Sequence, residues 1–205
     1  MHVTQHPSHF EPRLLPEYVD RFCQQVLEVA YSALQDASGP YDTAYTRGSM
    51  LFGRQQGLSQ VLAADKSMPW VKLHNATLDF TLSLNGVLIQ TVTDNPHCIK
   101  KAYRNKPNPL EQEQLSLFEK SPDVCTWRVY VSSNNDLEFP KIEVAIVGFD
   151  EYLNVVCLWK YEERSVLSVR SAEQHAAVDV PEAKVQRKRK DVDRNTTDKD
   201  EALDG

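Results

Sequence analysis

The sequence predicts an α+β fold in which an antiparallel sheet of five or six strands is backed by a long N-terminal helix. Three patterns support it: an alternating hairpin around Asn85-Gly86, an apolar stripe at helical spacing near the N-terminus, and three strand-like runs in the second half. A chain of 205 residues, 41% hydrophobic and 25% charged, can form one domain and a tail. We therefore predict a single domain over 13–165, with a disordered start over 1–12 and a disordered charged tail over 172–205.

The hairpin over 78–93 is the strongest pattern. Asn85-Gly86 tolerates the positive φ angles of a tight turn, and apolar and polar residues alternate on both arms. This alternation predicts a sheet with one buried face and one face in solvent. The side chains expected on the buried face of the first arm are Leu78, Phe80, Leu82 and Leu84.

The other elements follow from spacing and from turn residues. A helix should begin at Pro16, where a missing N–H has no cost, and end at Ser38-Gly39-Pro40, with glycine in the left-handed conformation. We predict that 41–65 is a connection with a short strand and a short helix interrupted by Gly57. Further strands are predicted over 70–74, 124–131, 142–149 and 153–161, with a helix over 110–118 that is capped by Asn108 or the residue beside it.

The composition restricts the class of protein. No apolar run is long enough for a transmembrane helix, and the first residues lack the basic start and apolar core of a secretory signal, so no membrane partner is expected. The four cysteines form no CxxC pair, which disfavours a metal site and favours a reducing compartment. We predict a cytoplasmic protein that needs no cofactor.

The loop over 97–106 is the best candidate site, because its cations are accompanied by no acidic residue. Lysine and arginine bind phosphate and a tyrosine ring can stack on a base, so the loop suits nucleic acid or an acidic protein surface. The alternative is a solvent-exposed connection without a ligand. The candidate residues are Lys100, Lys101, Tyr103, Arg104 and Lys106.

The tail contains a second basic cluster, followed by a mostly acidic segment. It could contact nucleic acid or an acidic partner, and the alternative is a solvated tail. The residues of this cluster are Lys184, Arg187, Lys188, Arg189 and Lys190.

A catalytic site is harder to support. A metal-dependent nuclease needs carboxylates and often a lysine on neighbouring strands. Asp79, Glu138, Lys141 and Glu143 are the available groups, but their spacing matches no motif, and the solvent face of a sheet explains them equally well. We therefore predict no catalytic residue.

Several short segments together resemble a group of small uncharacterised bacterial proteins of prophages and mobile elements, found beside helix-turn-helix repressors and repressor-cleaving metallopeptidases. The resemblance covers about residues 41–160. It implies an accessory role in phage defence, toxin–antitoxin pairing or regulation, and it implies no catalytic residue. The segments are Tyr45-Thr46-Arg47-Gly48, Phe52-Gly53-Arg54, Asn85-Gly86-Val87, Arg104-Asn105 and Leu117-Phe118.

The leading hypothesis is a non-catalytic interaction protein that binds a partner protein. Local nucleic-acid binding through the loop 97–106 is the first alternative, and a metal-dependent nuclease is the second.

Overall fold

Six strands form one sheet, and their order in space follows their order along the chain. The structure, a computed structural model, describes residues 5–117, 122–134 and 141–162. Short 3-10 helices cover Pro7–His9 and Ala102–Asn105. The helices are α1 (Pro16–Asp36), α2 (Ala44–Ala64) and α3 (Pro109–Leu115), and the strands are β1 (Val71–Asn75), β2 (Thr81–Leu84), β3 (Val87–Val92), β4 (Thr126–Ser133), β5 (Ile142–Phe149) and β6 (Val155–Lys160).

The α+β class is confirmed, and the sheet is mostly antiparallel. The exception is β3 with β4, which pair in parallel from Gln90 opposite Arg128 to Val92 opposite Tyr130. Two parallel neighbours need a crossover connection, because the chain must return to the same end of the sheet before it can start the second strand. Here that connection runs from residue 93 to residue 125, and we call it the crossover segment.

The predicted hairpin turn is confirmed. Asn85 and Gly86 have φ angles of 49° and 83°, in the left-handed region that Asn-Gly favours. The first arm begins later than predicted, at Thr81, and Leu78 is 69% exposed. The prediction of one solvent-facing side was wrong, since Thr81 and Ser83 are buried.

The N-terminal helix α1 has the predicted bounds, but it ends differently. Gly39 does not adopt a positive φ; its N–H donates to Oδ2 of Asp42 at 2.8 Å. The residues of α1 that face the sheet are apolar and buried, as the stripe predicts. They are Val19, Phe22, Cys23, Val26, Leu27, Ala30, Ala33 and Leu34.

The segment 41–65 forms one continuous helix, α2, so the predicted short strand was wrong. Thr43 and Thr46 form a capping box at its start. The glycines at 48, 53 and 57 face open space, so each costs only about 1 kcal/mol of helix propensity. Packing against α1 outweighs this cost. The side chains of α2 buried at helical spacing are Leu51, Gln55, Leu58, Ser59 and Leu62.

Both faces of the central strands are covered, as predicted for β5. Helices α1 and α2 cover the first face, where Val144 and Ile146 belong to the main apolar core. The crossover segment lies over the second face, where Ala145 and Val147 pack with Tyr130. Two structural layers therefore enclose the sheet.

Two of the predictions concern the ends of the chain. Within the start predicted to be disordered, residues 5–12 are described and include the 3-10 helix Pro7–His9. The predicted tail over 172–205 lies outside the described residues. No helix among the described ranges is long and apolar enough to span a bilayer.

Candidate functional site

An open cleft of about 1210 Å³ lies at the carboxyl ends of β3 and β4. The position follows from topology, because the carboxyl ends of two parallel strands meet at the same edge and the chain must leave the sheet there. The end of α1 and the start of α2 form the opposite wall. The segments that contribute lining residues are 31–38, 44–52, 93–104 and 131–134, together with Leu78.

The charges in the cleft are mostly positive. Its lining includes Arg47 from α2 and Lys100, Lys101 and Arg104 from the crossover segment, against one carboxylate, Asp94, among the described residues. The Asp94 oxygens already accept backbone N–H groups: Oδ2 accepts from Lys100 at 2.8 Å and Lys101 at 2.7 Å. The cleft can therefore attract an anion.

These cations differ in how firmly they are held. Lys101 Nζ donates to the carbonyl oxygen of Thr93 at 2.8 Å, and Arg104 forms an ion pair with Asp79. Lys100 is exposed, and its ammonium group has no hydrogen-bond or ion-pair partner within the ranges that the structure describes. Lys100 is consequently the cation most available to a ligand.

Aromatic rings stand beside these charges. Tyr31 and Tyr45 line the cleft and are 42% and 83% exposed, and Phe52 lines it at lower exposure. Sequence reasoning missed the contribution of Arg47 and Tyr45 to the site because it treated 41–65 as a connection, and it did not single out Tyr31 on α1. The capping residues Thr43 and Thr46 and the helical spacing of the apolar residues in α2 were the signals that could have placed them.

The predicted loop residues do not all meet in the cleft. Lys100, Lys101 and Arg104 do, whereas Tyr103 is 64% exposed beside it, with the Arg104 guanidinium carbon 5.5 Å from the centre of its ring. Lys106 does not line the cleft, and its backbone carbonyl oxygen accepts a hydrogen bond from the β4 side of the loop. The five residues of the basic cluster Lys184–Lys190 lie outside the described residues.

A buried arginine anchors the loop to the sheet. Arg128 on β4 is fully buried and forms a bidentate ion pair with Glu111 of α3, with contacts of 2.5 and 2.9 Å. The same guanidinium donates to the carbonyl oxygens of Arg104 at 2.7 Å and Lys106 at 2.9 Å. Arg128 therefore fixes the backbone from which the Arg104 side chain reaches the cleft.

Asn105, between those two carbonyls, is buried as well. Its side-chain oxygen accepts the hydroxyl of Tyr130 at 2.6 Å, and its backbone carbonyl accepts the hydroxyl of Thr126 at 3.2 Å. Burial raises the pKa of Tyr130 to about 12, so it remains a hydrogen-bond donor at neutral pH. The loop is thus fixed at Asp94 on one side and on β4 on the other.

The residues considered for a nuclease do not share a site. Asp79 pairs with Arg104, while Glu143 on β5 pairs with Lys160 at 2.6 Å and with His97 at 3.3 Å. Burial raises the pKa of Glu143, but its ion pairs outweigh burial and lower that pKa overall. Lys141 forms no ion pair with any residue that the structure describes, and Glu138 is outside the described residues. Among described residues, no group of three or more histidine, cysteine, aspartate or glutamate side chains could hold a metal ion.

No protein-family model matches this chain, and no curated protein or solved structure is significantly similar to it. The cleft is therefore the feature of the molecule from which a function can be inferred.

Proposed function

We propose that this protein is a non-catalytic interaction protein and that an anionic segment of its partner binds in the cleft. The observation that supports this most directly is the convergence of cations from two distant parts of the chain. Arg47 comes from α2, and Lys100, Lys101 and Arg104 come from the crossover segment, while Asp94, the carboxylate that the described residues contribute to the lining, accepts backbone N–H groups. A partner protein with an acidic segment, the leading hypothesis, and nucleic acid both have the required charge.

The proposed site of action is the cytoplasm. All four cysteines lie within the described residues as free thiols, and Cys98 is exposed on the wall of the cleft. An exposed free thiol is typical of a reducing compartment. The accessory role in phage defence, toxin–antitoxin pairing or regulation, implied by the resemblance above, stays a prediction.

The experiment compares two charge reversals. Lys100→Glu alters the unpartnered cation of the cleft, and Lys72→Glu makes the same change at an exposed position on β1, away from the cleft. We expect the purified protein to bind at least one of two polyanions, a poly-glutamate peptide and an oligonucleotide. Lys100→Glu should weaken this binding about 10-fold, and Lys72→Glu should have little effect.

Two results would contradict the proposal. If neither polyanion binds, or if both variants lose affinity equally, then the cleft is not the site. Turnover of nucleic acid or nucleotide by the purified protein, abolished by a chelator, would instead favour the nuclease.

A further inference from the structure

We infer that the anionic partner is single-stranded nucleic acid. Its bases stack on the tyrosines of the helical wall, which α1 and α2 form, and its phosphates bind the crossover wall, which the crossover segment forms. This inference depends on the proposed function, since it names the ligand of the same cleft. Two features of the site favour it over an acidic peptide: the exposed rings, and a group of three cations on the wall opposite these rings.

The exposed rings are the first feature. Tyr45 is 83% exposed on the first turn of α2, and Tyr31 is 42% exposed near the end of α1. The exposed part of such a ring is hydrated, and a base stacked on it removes two apolar faces from water at once. A peptide of acidic side chains alone has no planar ring to stack on them.

The arrangement of charges is the second feature. Tyr31 and Tyr45 belong to the helical wall, which also carries Arg47, and the other three cations, Lys100, Lys101 and Arg104, belong to the crossover wall of the same cleft. A single strand presents bases on one side and phosphates on the other, so it can occupy both walls together. In a duplex the bases are already stacked on one another, so the tyrosines would remain exposed.

The size and charge of the site also set limits. The cleft is open and its volume, about 1210 Å³, exceeds that of a typical small-molecule pocket, so it suits an extended ligand. The net charge of the chain is −6, which opposes non-specific binding along the whole surface. Binding should therefore involve a short segment of about three phosphates, and log K should fall with log salt concentration with a slope of about −2.

Fluorescence anisotropy of the full chain with a labelled oligo(dT) measures the affinity for a single strand. Repeating it at salt concentrations between about 50 and 200 mM measures the salt dependence of that affinity. Tyr45→Ala should weaken oligonucleotide binding about 10-fold, within the range of one lost stack, and Tyr45→Phe should retain the affinity because it keeps the ring. Tyr152→Ala is the matched control, since Tyr152 is 76% exposed in the turn before β6 and does not line the cleft.

Poly-glutamate and duplex DNA complete the test. We expect Tyr45→Ala to leave any poly-glutamate binding unchanged and the duplex to bind more weakly than the single strand. Binding of poly-glutamate without the oligonucleotide would overturn this inference and leave the proposed function standing; binding of neither would overturn both. Equal affinity for the duplex, or an unchanged oligonucleotide affinity in Tyr45→Ala, would also overturn the assignment.

Discussion

The helix-covered face of the sheet and the face under the crossover segment are both buried, but their side chains differ in chemistry. On the first face, Leu84, Ile89 and Ile146 pack against α1 and α2 in one apolar core. On the second face, a smaller apolar cluster around Val92 and Phe149 lies beside buried polar side chains. Those polar side chains are Thr81, Ser83, Gln90, Thr126 and Arg128.

The two faces differ in the kind of structure that packs on them, regular helices on one and an irregular segment on the other. Apolar packing is non-directional, and it stabilises any arrangement that removes surface from water. Hydrogen bonds and bidentate ion pairs are directional, so they can hold an irregular segment in one position. The polar face therefore positions the loop of the cleft, and the apolar face supplies most of the stability.

Arg128→Met is the substitution on the polar face for which we expect the largest loss of stability. It leaves the carboxylate of Glu111 buried without its partner, so the free energy of unfolding should fall by about 3–5 kcal/mol. The double variant Arg128→Met with Glu111→Leu removes both charges and should recover part of that loss, because the carbonyl oxygens of Arg104 and Lys106 still lose their donor. Urea denaturation measures both variants. A loss below about 1 kcal/mol for the single variant would mean that the pair is solvated.

Leu84→Ala tests the apolar face. Leu84 is fully buried, and truncation should cost about 3 kcal/mol through lost transfer energy and a residual cavity. Because Leu84 touches no part of the polar network, the variant should bind a polyanion as wild type does under conditions where both are folded. If Leu84→Ala bound the polyanion more weakly than the wild type, the two faces would not be separable.

Gly148→Ala measures how tightly the helix-covered face is packed. A Cβ at Gly148 would lie 2.8 Å from Val124 Cγ1 and 3.0 Å from the Trp127 ring, so overpacking should cost about 2 kcal/mol. Gly53→Ala on α2 is the control, with nothing within 4 Å, and should be stabilising by about 0.5 kcal/mol. Thermal unfolding measures the stability of both variants. Equal changes in stability would contradict the tight packing at Gly148.

Tyr130→Phe has the smallest expected effect and depends on pH. At pH 8 it should cost about 1 kcal/mol, because the Asn105 side-chain oxygen loses its donor. The folded-state pKa of Tyr130, about 12, is above its ordinary value of 10, so its contribution is complete below pH 10 and is lost as the pH rises towards 12. Denaturation of both proteins between about pH 9 and 11 should show the difference narrowing. A constant difference would mean that the pKa is not raised.

Some of the fold was readable because the signals are local. The turn at Asn85-Gly86, the helix from Pro16 and the strand Ile142–Phe149 each follow from neighbouring residues and a single period. The helix α2 was misread because its glycines suggested a break, whereas packing on α1 keeps it continuous. Half of the site was misread with it, since Arg47 and Tyr45 lie on α2.

By itself, the sequence determined the fold class, the long first helix, the hairpin and the basic character of the loop 97–106. The tertiary structure alone decided that β3 and β4 are parallel, that Arg128 is buried beneath that loop, and that α2 brings Arg47 and Tyr45 to the same cleft. The physical reason is range: turns and helical stripes depend on interactions between near neighbours. The cleft depends on contacts between segments separated by dozens of residues, which no local pattern encodes.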